Sequence, residues 1–443
     1  MVRMFTLKKI GIYFTWLIII ASSAWAFFFY EKKEIYPGKK VITFATVGGA
    51  AEKKAWEVII DEFEQKYPDI KLKLLIIPLK YNEKILSLLA ADIAPDIFVA
   101  RLVEMEPKNI LLPIDDFIKN DKDMLDTNDI FPGILEASLY NGKTYNIMTS
   151  VGPLALFYNV EHFEEAGLKT PNQYAAEGRW NFETFLECCK KLTKYDEDGN
   201  ITRWAYRIYA DYIIHLYITA NGTQLKVDAT SGNYTDPKVV GALQKWADLS
   251  LVHKVAPPIA AEEQSGVSAA WKDFQRGKIS MMHSGPWMIP RLNDAGMTEK
   301  YDVAPPPFEE GGKSVIVSYG DVDAIWAKSK HPYEAYLWLK HIASRESRIT
   351  WSKLGFGLPA YKSLWEHKEL WLDTTKVPEH FDIFYELSQG VLYPEFSHSP
   401  AAKSKAKYTF EKYIWEQIRK GTPAKEVLEA EIDNLLKYNA QEQ

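Results

Sequence analysis

Apolar positions along the chain alternate between a period of two and a period near 3.6, and the switches mark out its elements. Lys39 to Thr46 reads as a first strand. Trp56, Ile59, Ile60, Phe63 and Tyr67 then fall on one face of a helix that Pro68 ends. Ile70 to Ile76 alternates at strand period. Tyr81 to Ile93 forms a second amphipathic helix with Ile85, Leu88 and Leu89 inward, and Ile97-Phe98-Val99 is a short buried strand. The order β-α-β-α-β predicts a parallel sheet with helices on its faces.

The pattern restarts after Val151. Gly152-Pro153 bends the chain into a buried strand, Leu154 to Asn159. Asn181 caps a helix through Leu192, Asp198-Gly199 turns, and Ile201 to Ile208 is a strand. Asp236 followed by Pro237 is an N-cap with proline at the first helical position, opening a helix through Leu249. Gly277 is expected to close a helix in the left-handed conformation. Strands follow at Ile279 to His283 and Ser314 to Ile325, then a helix from Pro332 to Ile342 and a mostly helical last hundred residues. No repeat or low-complexity linker separates the two α/β units.

Composition narrows the function. A chain of 443 residues holds two or three domains. Aromatic residues reach 14%, with 14 Trp and 25 Tyr, more than a core requires. The net charge is −6, and the absence of a basic stripe argues against nucleic acid as a partner. Cys188 and Cys189 are the only cysteines; adjacent thiols bridge each other only with strain, and no zinc spacing exists.

At the amino terminus, Arg3, Lys8 and Lys9 precede Ile10 to Tyr30, which carries no charge. Positive charge before an apolar run places the bulk of the chain outside the cytoplasmic membrane. Ala24-Trp25-Ala26 offers a cleavage pattern for a signal peptide. The run is also long enough for an uncleaved anchor, which the aromatic Phe27 to Tyr30 favours slightly. No cysteine is present here to carry a lipid.

Four stretches in order resemble the extracellular solute-binding proteins of ATP-driven importers, in the maltose-binding branch. They are "IDEFEQKYPDIKLKL", "APDIF" from Ala94 to Phe98, "YNGKTYNIMTSVGPLALFYNVEHFEEAGL" from Tyr140 to Leu168, and "FQRGKISMMHSGPW" from Phe274 to Trp287. Each is weak alone; together they span nearly all of the chain after residue 40. The resemblance implies an α/β fold of two lobes joined by three hinge crossings, with a ligand cleft between them. Residues 1–38 would be the signal or anchor, 39–150 with 321–358 the first lobe, and 151–320 with 359–443 the second. The crossings would fall at Val151, Gly152 and Pro153, at Gly320, and at Gly357.

A sugar presents a C–H face that suits aromatic rings and a hydroxyl edge that suits carboxylates, amides and Arg. By resemblance, Trp287 after Gly285-Pro286 stacks on sugar in the cleft. Tyr212 and His215 match the family's aromatic segment, although His215 stands where an aromatic is expected, and Asp211 is a candidate hydroxyl acceptor. Arg101 and Glu104 follow the strand ending at Val99, where the family places polar contacts. Gly48 and Gly49 open the loop after the first strand and could let backbone amides approach a ligand. Tyr319 and Asp321 flank Gly320, and Tyr319 replaces the first glycine of a pair common there. Structural roles compete at each position: a core Trp at 287, a satisfied histidine at 215, surface carboxylates elsewhere.

The expectation is therefore the binding component of a carbohydrate importer. Its partners are a small carbohydrate and a membrane permease, it is monomeric, and it needs no cofactor or metal. The alternatives are a tethered two-lobe sensor or scaffold, or a binder of glycerol phosphate or a polyol. A glycoside hydrolase would need two placed acids, but no hydrolase signature is present. "YDEDGN" from Tyr195 to Asn200 only faintly resembles a calcium loop, lacking its closing Glu, and reads as a turn.

Overall fold

The computed structural model describes residues 36–440 except 79, 102–104, 106–108, 123–125, 132–133, 135–138, 141, 209–212, 226–231, 260–268, 314, 317–320, 389–390 and 393–408. The expected signal or anchor segment lies outside these. Among the described residues no helix is long and apolar enough to cross a membrane.

The first lobe opens with β1 (Lys40–Val47), α1 (Ala50–Lys66), β2 (Ile70–Ile77), α2 (Tyr81–Ala90), β3 (Ile97–Arg101) and the short β4 (Leu111–Leu112). A short strand, β5 (Ser150–Val151), leads into the second lobe. There the chain forms β6 (Ala155–Asn159), α3 (Phe182–Leu192), β7 (Lys194–Tyr195), β8 (Ile201–Tyr206), α4 (Ile213–Ala220), α5 (Pro237–Leu251), β9 (Ile279–Ser284), α6 (Met288–Asp294) and β10 (Tyr301–Ala304). It returns through β11 (Asp321–Trp326), α7 (Pro332–Ala343), α8 (Arg345–Lys353) and β12 (Leu358–Pro359).

Two five-stranded sheets result, in the orders β2-β1-β3-β11-β4 and β10-β6-β9-β8-β7. In the first, β1 runs parallel to β2 and β3, as the β-α-β-α-β pattern predicts. The sheet is nevertheless mixed, because β11 pairs antiparallel with both β3 and β4. The physical reason is direction: β11 re-enters from the other lobe and runs against the strands already laid down. The stretch from Ser314 to Ile325, expected as one strand, contains two separate ones, Val315–Ile316 and β11.

Alternation of side chains along β1 explains the two faces. Phe44 packs with Trp56, Ile59 and Phe63 of α1 and Trp338 of α7, while the next residue, Ala45, packs with Ile85 of α2. In the second lobe β6, β9 and β10 are buried along their whole length, so their alternation is masked and they read as continuous apolar runs. Cys188 and Cys189 are buried on α3, and burial pushes the Cys188 thiol up to about 12, so it is unreactive.

The caps follow the sequence. Asn181 Oδ1 accepts from Thr184 N at 3.0 Å, Asp236 Oδ1 accepts from Lys238 N at 2.7 Å, and Gly277 adopts φ of +67°. The turn from Asp196 closes a β7–β8 hairpin by accepting from Asn200 N at 2.7 Å.

Three buried histidines give the fold a pH dependence. Burial lowers His162 and His341 to about 4 and His283 to about 3, against 6.5 when free. Below pH 6.5 the unfolded chain therefore binds protons that the folded chain refuses, so stability is complete above 6.5 and is lost as pH falls. The melting midpoint should fall steadily from pH 6.5 to 5, above the carboxylate range. A flat midpoint across that window in calorimetry would show that these rings carry no such linkage.

Candidate functional site

Strands β5 and β12 pair antiparallel, Val151 with Leu358 and Ser150 with Pro359, so two crossings of the chain run side by side. A cleft of about 240 Å³ lies against them. The first lobe supplies Trp56 from α1, Asp323 from β11, and Arg348 and Trp351 from α8; the second supplies Pro286 and Trp287. The crossings themselves contribute Asn146 to Gly152 and Gly357.

Each aromatic wall is fixed locally. Trp56 and Trp351 pack with ring centroids 4.3 Å apart, and Trp351 Nε1 donates to Phe356 O at 3.0 Å. Gly357 sits against this indole: an added Cβ would lie 3.4 Å from Trp351 Nε1. Trp287 opens α6 after the turn in which Met288 N donates to Gly285 O at 3.1 Å. Its ring folds back over Gly285, so close that a Cβ there would sit 2.1 Å from ring carbon Cζ3. Only glycine allows this approach.

The polar groups are few, as expected of a small-molecule site. Arg348 is 7% exposed. Its Nη1 donates to Ser150 Oγ at 2.7 Å, and its carbon Cζ lies 5.8 Å from the Trp351 ring centroid. Its Nε and Nη2 are buried without a hydrogen-bond partner. Burial pushes the guanidinium down to about 10, opposed by the charge of Asp323. The lobes also meet through Arg291 of α6 and Glu52 of α1, 3.9 Å apart. Both are part-exposed, so the pair is worth ~0–1 kcal/mol.

Of the residues singled out from sequence, Trp287, Val151, Gly152 and Gly357 line the cleft, with Pro153 buried beside them. Gly48 and Gly49 lead into α1 and are not among the lining residues; the Gly49 amide is taken by Glu52 Oε2 at 2.8 Å. His215, expected at the ligand, lies instead in the core of the second lobe, 1% exposed. The reason is that α4 is packed into that core, where the His215 ring lies 6.1 Å from Phe410, and none of its residues is among those lining the cleft. Arg101 and Asp321 are register partners on β3 and β11. Glu104, Asp211, Tyr212, Tyr319 and Gly320 lie outside the described residues.

Sequence reasoning missed Trp351, Arg348 and Asp323 and assigned Trp56 to the core. One signal was available: Arg348 and Trp351 are three apart on a helix, hence on one face, beside the third crossing. Asp302, Glu379 and His380 bring ligand atoms within 4.8 Å of one another. The Asp302 carboxylate is already engaged, accepting from Tyr158 Oη at 2.8 Å and His380 N at 3.0 Å and pairing with His380 Nδ1 at 2.6 Å. That cluster fastens the C-terminal segment onto β10.

A cleft between two α/β lobes, walled by indoles and floored by paired crossings, is a candidate site for a small solute. The sequence profile of the bacterial extracellular solute-binding proteins matches residues 49–349. The chain belongs to this family. As a member, it binds its solute without transforming it. The arabinooligosaccharide-binding protein of Bacillus subtilis is 29% identical over 391 residues, covering 82% of this chain and 83% of that protein. Among solved structures, a Listeria monocytogenes ABC substrate-binding protein in complex with cycloalternan superposes with a TM-score of 0.75 at 22% identity, covering 90% of this chain and 98% of that one. The sugar-binding protein MalE of Xanthomonas citri gives 0.68 at 19% identity, covering 91% and 98%. The likeness shows that this solute-binding protein has the two-lobe periplasmic-binding-protein fold with two mixed sheets.

Proposed function

We propose that this solute-binding protein serves an ATP-driven carbohydrate importer. It captures a sugar or oligosaccharide between lobes 39–150 with 321–358 and 151–320 with 359–443, and hands it to a membrane permease. The observation that carries the reading is the set of three indoles, Trp56, Trp287 and Trp351, lining one interlobe cleft with a handful of polar groups. Indole faces match the C–H faces of sugar rings. The sugars in the names of the relatives point the same way. The protein works outside the cytoplasmic membrane, held or exported by its first 38 residues.

The mechanism is a population shift. Trp56 and Trp351 stand on one lobe and Trp287 on the other. A ligand touching both favours the closed state only by its differential affinity for it. The paired strands β5 and β12 are the natural axis, since a few residues there absorb the rotation.

The test is a melting-temperature screen of the protein against neutral mono- and oligosaccharides, polyols, uronates and phosphorylated sugars. A ligand at 100 times its dissociation constant should add ~2.7 kcal/mol. A shift confined to saccharides is expected. No saccharide shift, in a protein that melts cooperatively, would overturn the carbohydrate reading.

A further inference from the structure

We propose that the base of the first lobe is a docking face for a bilayer with anionic lipid headgroups, and that the run Ile10 to Tyr30 is retained as the anchor that keeps it there. This rests on the reading that the first 38 residues place the protein outside the cytoplasmic membrane, and narrows it to one surface and one kind of partner.

Tether length sets which end of the lobe meets the membrane. The run from Ile10 to Tyr30 carries no charge, and the first described residue is Tyr36. The chain between Tyr30 and Tyr36 spans at most about 20 Å. Tyr36 O accepts from Lys39 N at 3.2 Å, in the turn that leads into β1. Lys40 opens β1 in register with Ile70, which opens β2, and its amide donates to Asp69 O at 2.8 Å, just after α1. Its Nζ meets Glu334 Oε1 at 2.5 Å, in the first turn of α7. The ends of four elements therefore come together where the tether arrives. β1, with eight residues, is itself about 26 Å long, so the tether is too short to bring the far end of these strands to the membrane.

The charge of this end suits an anionic surface, although the whole chain carries −6. Glu334 and Glu64 are matched by Lys40 and Lys71. Lys39, Lys66 and Lys73 have no carboxylate partner among the described residues, and Asp69 is the exposed acid beside them. Within the tether Glu31 and Glu34 offset Lys32 and Lys33, so the excess belongs to the folded lobe. Lys71 and Lys73 hold the Tyr36 ring, their Nζ atoms 5.5 and 5.4 Å from its centroid, which fixes the exit of the chain on β2. Tyr333, next to Glu334, is 54% exposed, and an amphipathic ring suits the headgroup level. Each lysine near an anionic surface favours association roughly fivefold, an effect that fades within a Debye length. Three hold the lobe reversibly.

The test uses the full chain, purified from membranes and placed in nanodiscs of phosphatidylcholine alone or mixed with phosphatidylglycerol. Intact mass is read first. All 443 residues are expected, and a mass lacking the residues up to Ala26 would overturn the anchor and the docking face together. Energy transfer to headgroup acceptors is read next, from a dye on a single introduced cysteine, since Cys188 and Cys189 are buried. Tyr333→Cys should show high transfer in anionic discs and at least ~3-fold less in neutral discs or at high salt. Tyr195→Cys, in the second lobe, should show little in either. Changing Lys39, Lys66 and Lys73 together to Gln should lower the docked-to-free ratio at least ~30-fold. Changing the same three to Arg should restore it, which separates lost charge from a damaged fold. Equal transfer in neutral and anionic discs, or a triple Gln variant that docks like wild type, would overturn the docking face with the anchor still in place. None of these readouts uses a saccharide, so they stand or fall independently of the carbohydrate reading.

Discussion

Replacing Trp246 with alanine is expected to cost roughly 3–5 kcal/mol, the range for removing a buried indole. Trp246 is 2% exposed at the centre of the second lobe. It stacks on Tyr217 with centroids 4.0 Å apart and planes 9° from parallel, and meets Phe182 and Phe185, each at 5.2 Å, and Tyr206 at 5.5 Å. Beside it runs a buried polar chain, Tyr217 Oη to Tyr206 Oη at 2.7 Å and Tyr206 Oη to His283 Nδ1 at 2.9 Å. Alanine would leave a cavity under this chain that rigid neighbouring rings cannot fill by small shifts. Against a typical total of ~5–15 kcal/mol this is a large share. The check is urea denaturation followed by circular dichroism: the midpoint should fall strongly, while Trp246→Phe recovers part of the loss. Ligand affinity of the folded variant should stay near wild type, because Trp246 is not among the residues lining the cleft. An unfolding free energy within about 1 kcal/mol of wild type, the cost of an average point substitution, would contradict the packing described.

The contrast between Trp246 and the cleft tryptophans shows what a sequence can and cannot reveal. Helical spacing placed Trp56 on the same face as Ile59, Ile60 and Phe63, and that placement is correct: all four pack in one cluster. Yet Trp56 also lines the cleft, because it stands at the end of the face nearest the crossings. Periodicity reports which side of a helix is apolar, and core and cleft share that side. Trp287 was legible because Gly-Pro before it takes it off the regular element. Local signals likewise carried the caps at Asn181 and Asp236 and the left-handed Gly277. Pairing over long chain distances was not legible. Nothing in the residues of β11 announces that it inserts between β3 and β4, because strand period is the same for every neighbour. Arg348 was hidden for another reason. A charged residue on a helix reads as surface until the fold brings a second lobe over it.

Gly285→Ala is expected to weaken ligand binding about as much as losing the Trp287 ring itself. The ring lies over Gly285, and an added methyl would fall 2.1, 2.2 and 2.6 Å from three of its carbons. No side chain tolerates such distances, so the indole must swing away. The backbone at Gly285 does not have the positive φ that would strain alanine, so the effect acts through the ring alone. Trp287→Ala should lose ~1.5–3 kcal/mol of binding, the apolar contact of one large side chain. That is roughly 10- to 150-fold in affinity. Gly285→Ala should reach the same range, with a modest change in melting temperature, since Trp287 is only partly buried at the edge of the second lobe's core. The deciding measurement is a double-mutant cycle by calorimetric titration. With the ring already gone, Gly285→Ala should add almost nothing, giving a coupling energy close to the whole single-mutant effect. Additive losses would mean that the two residues act on the ligand separately, and that the Trp287 ring over Gly285 is not the surface the ligand meets.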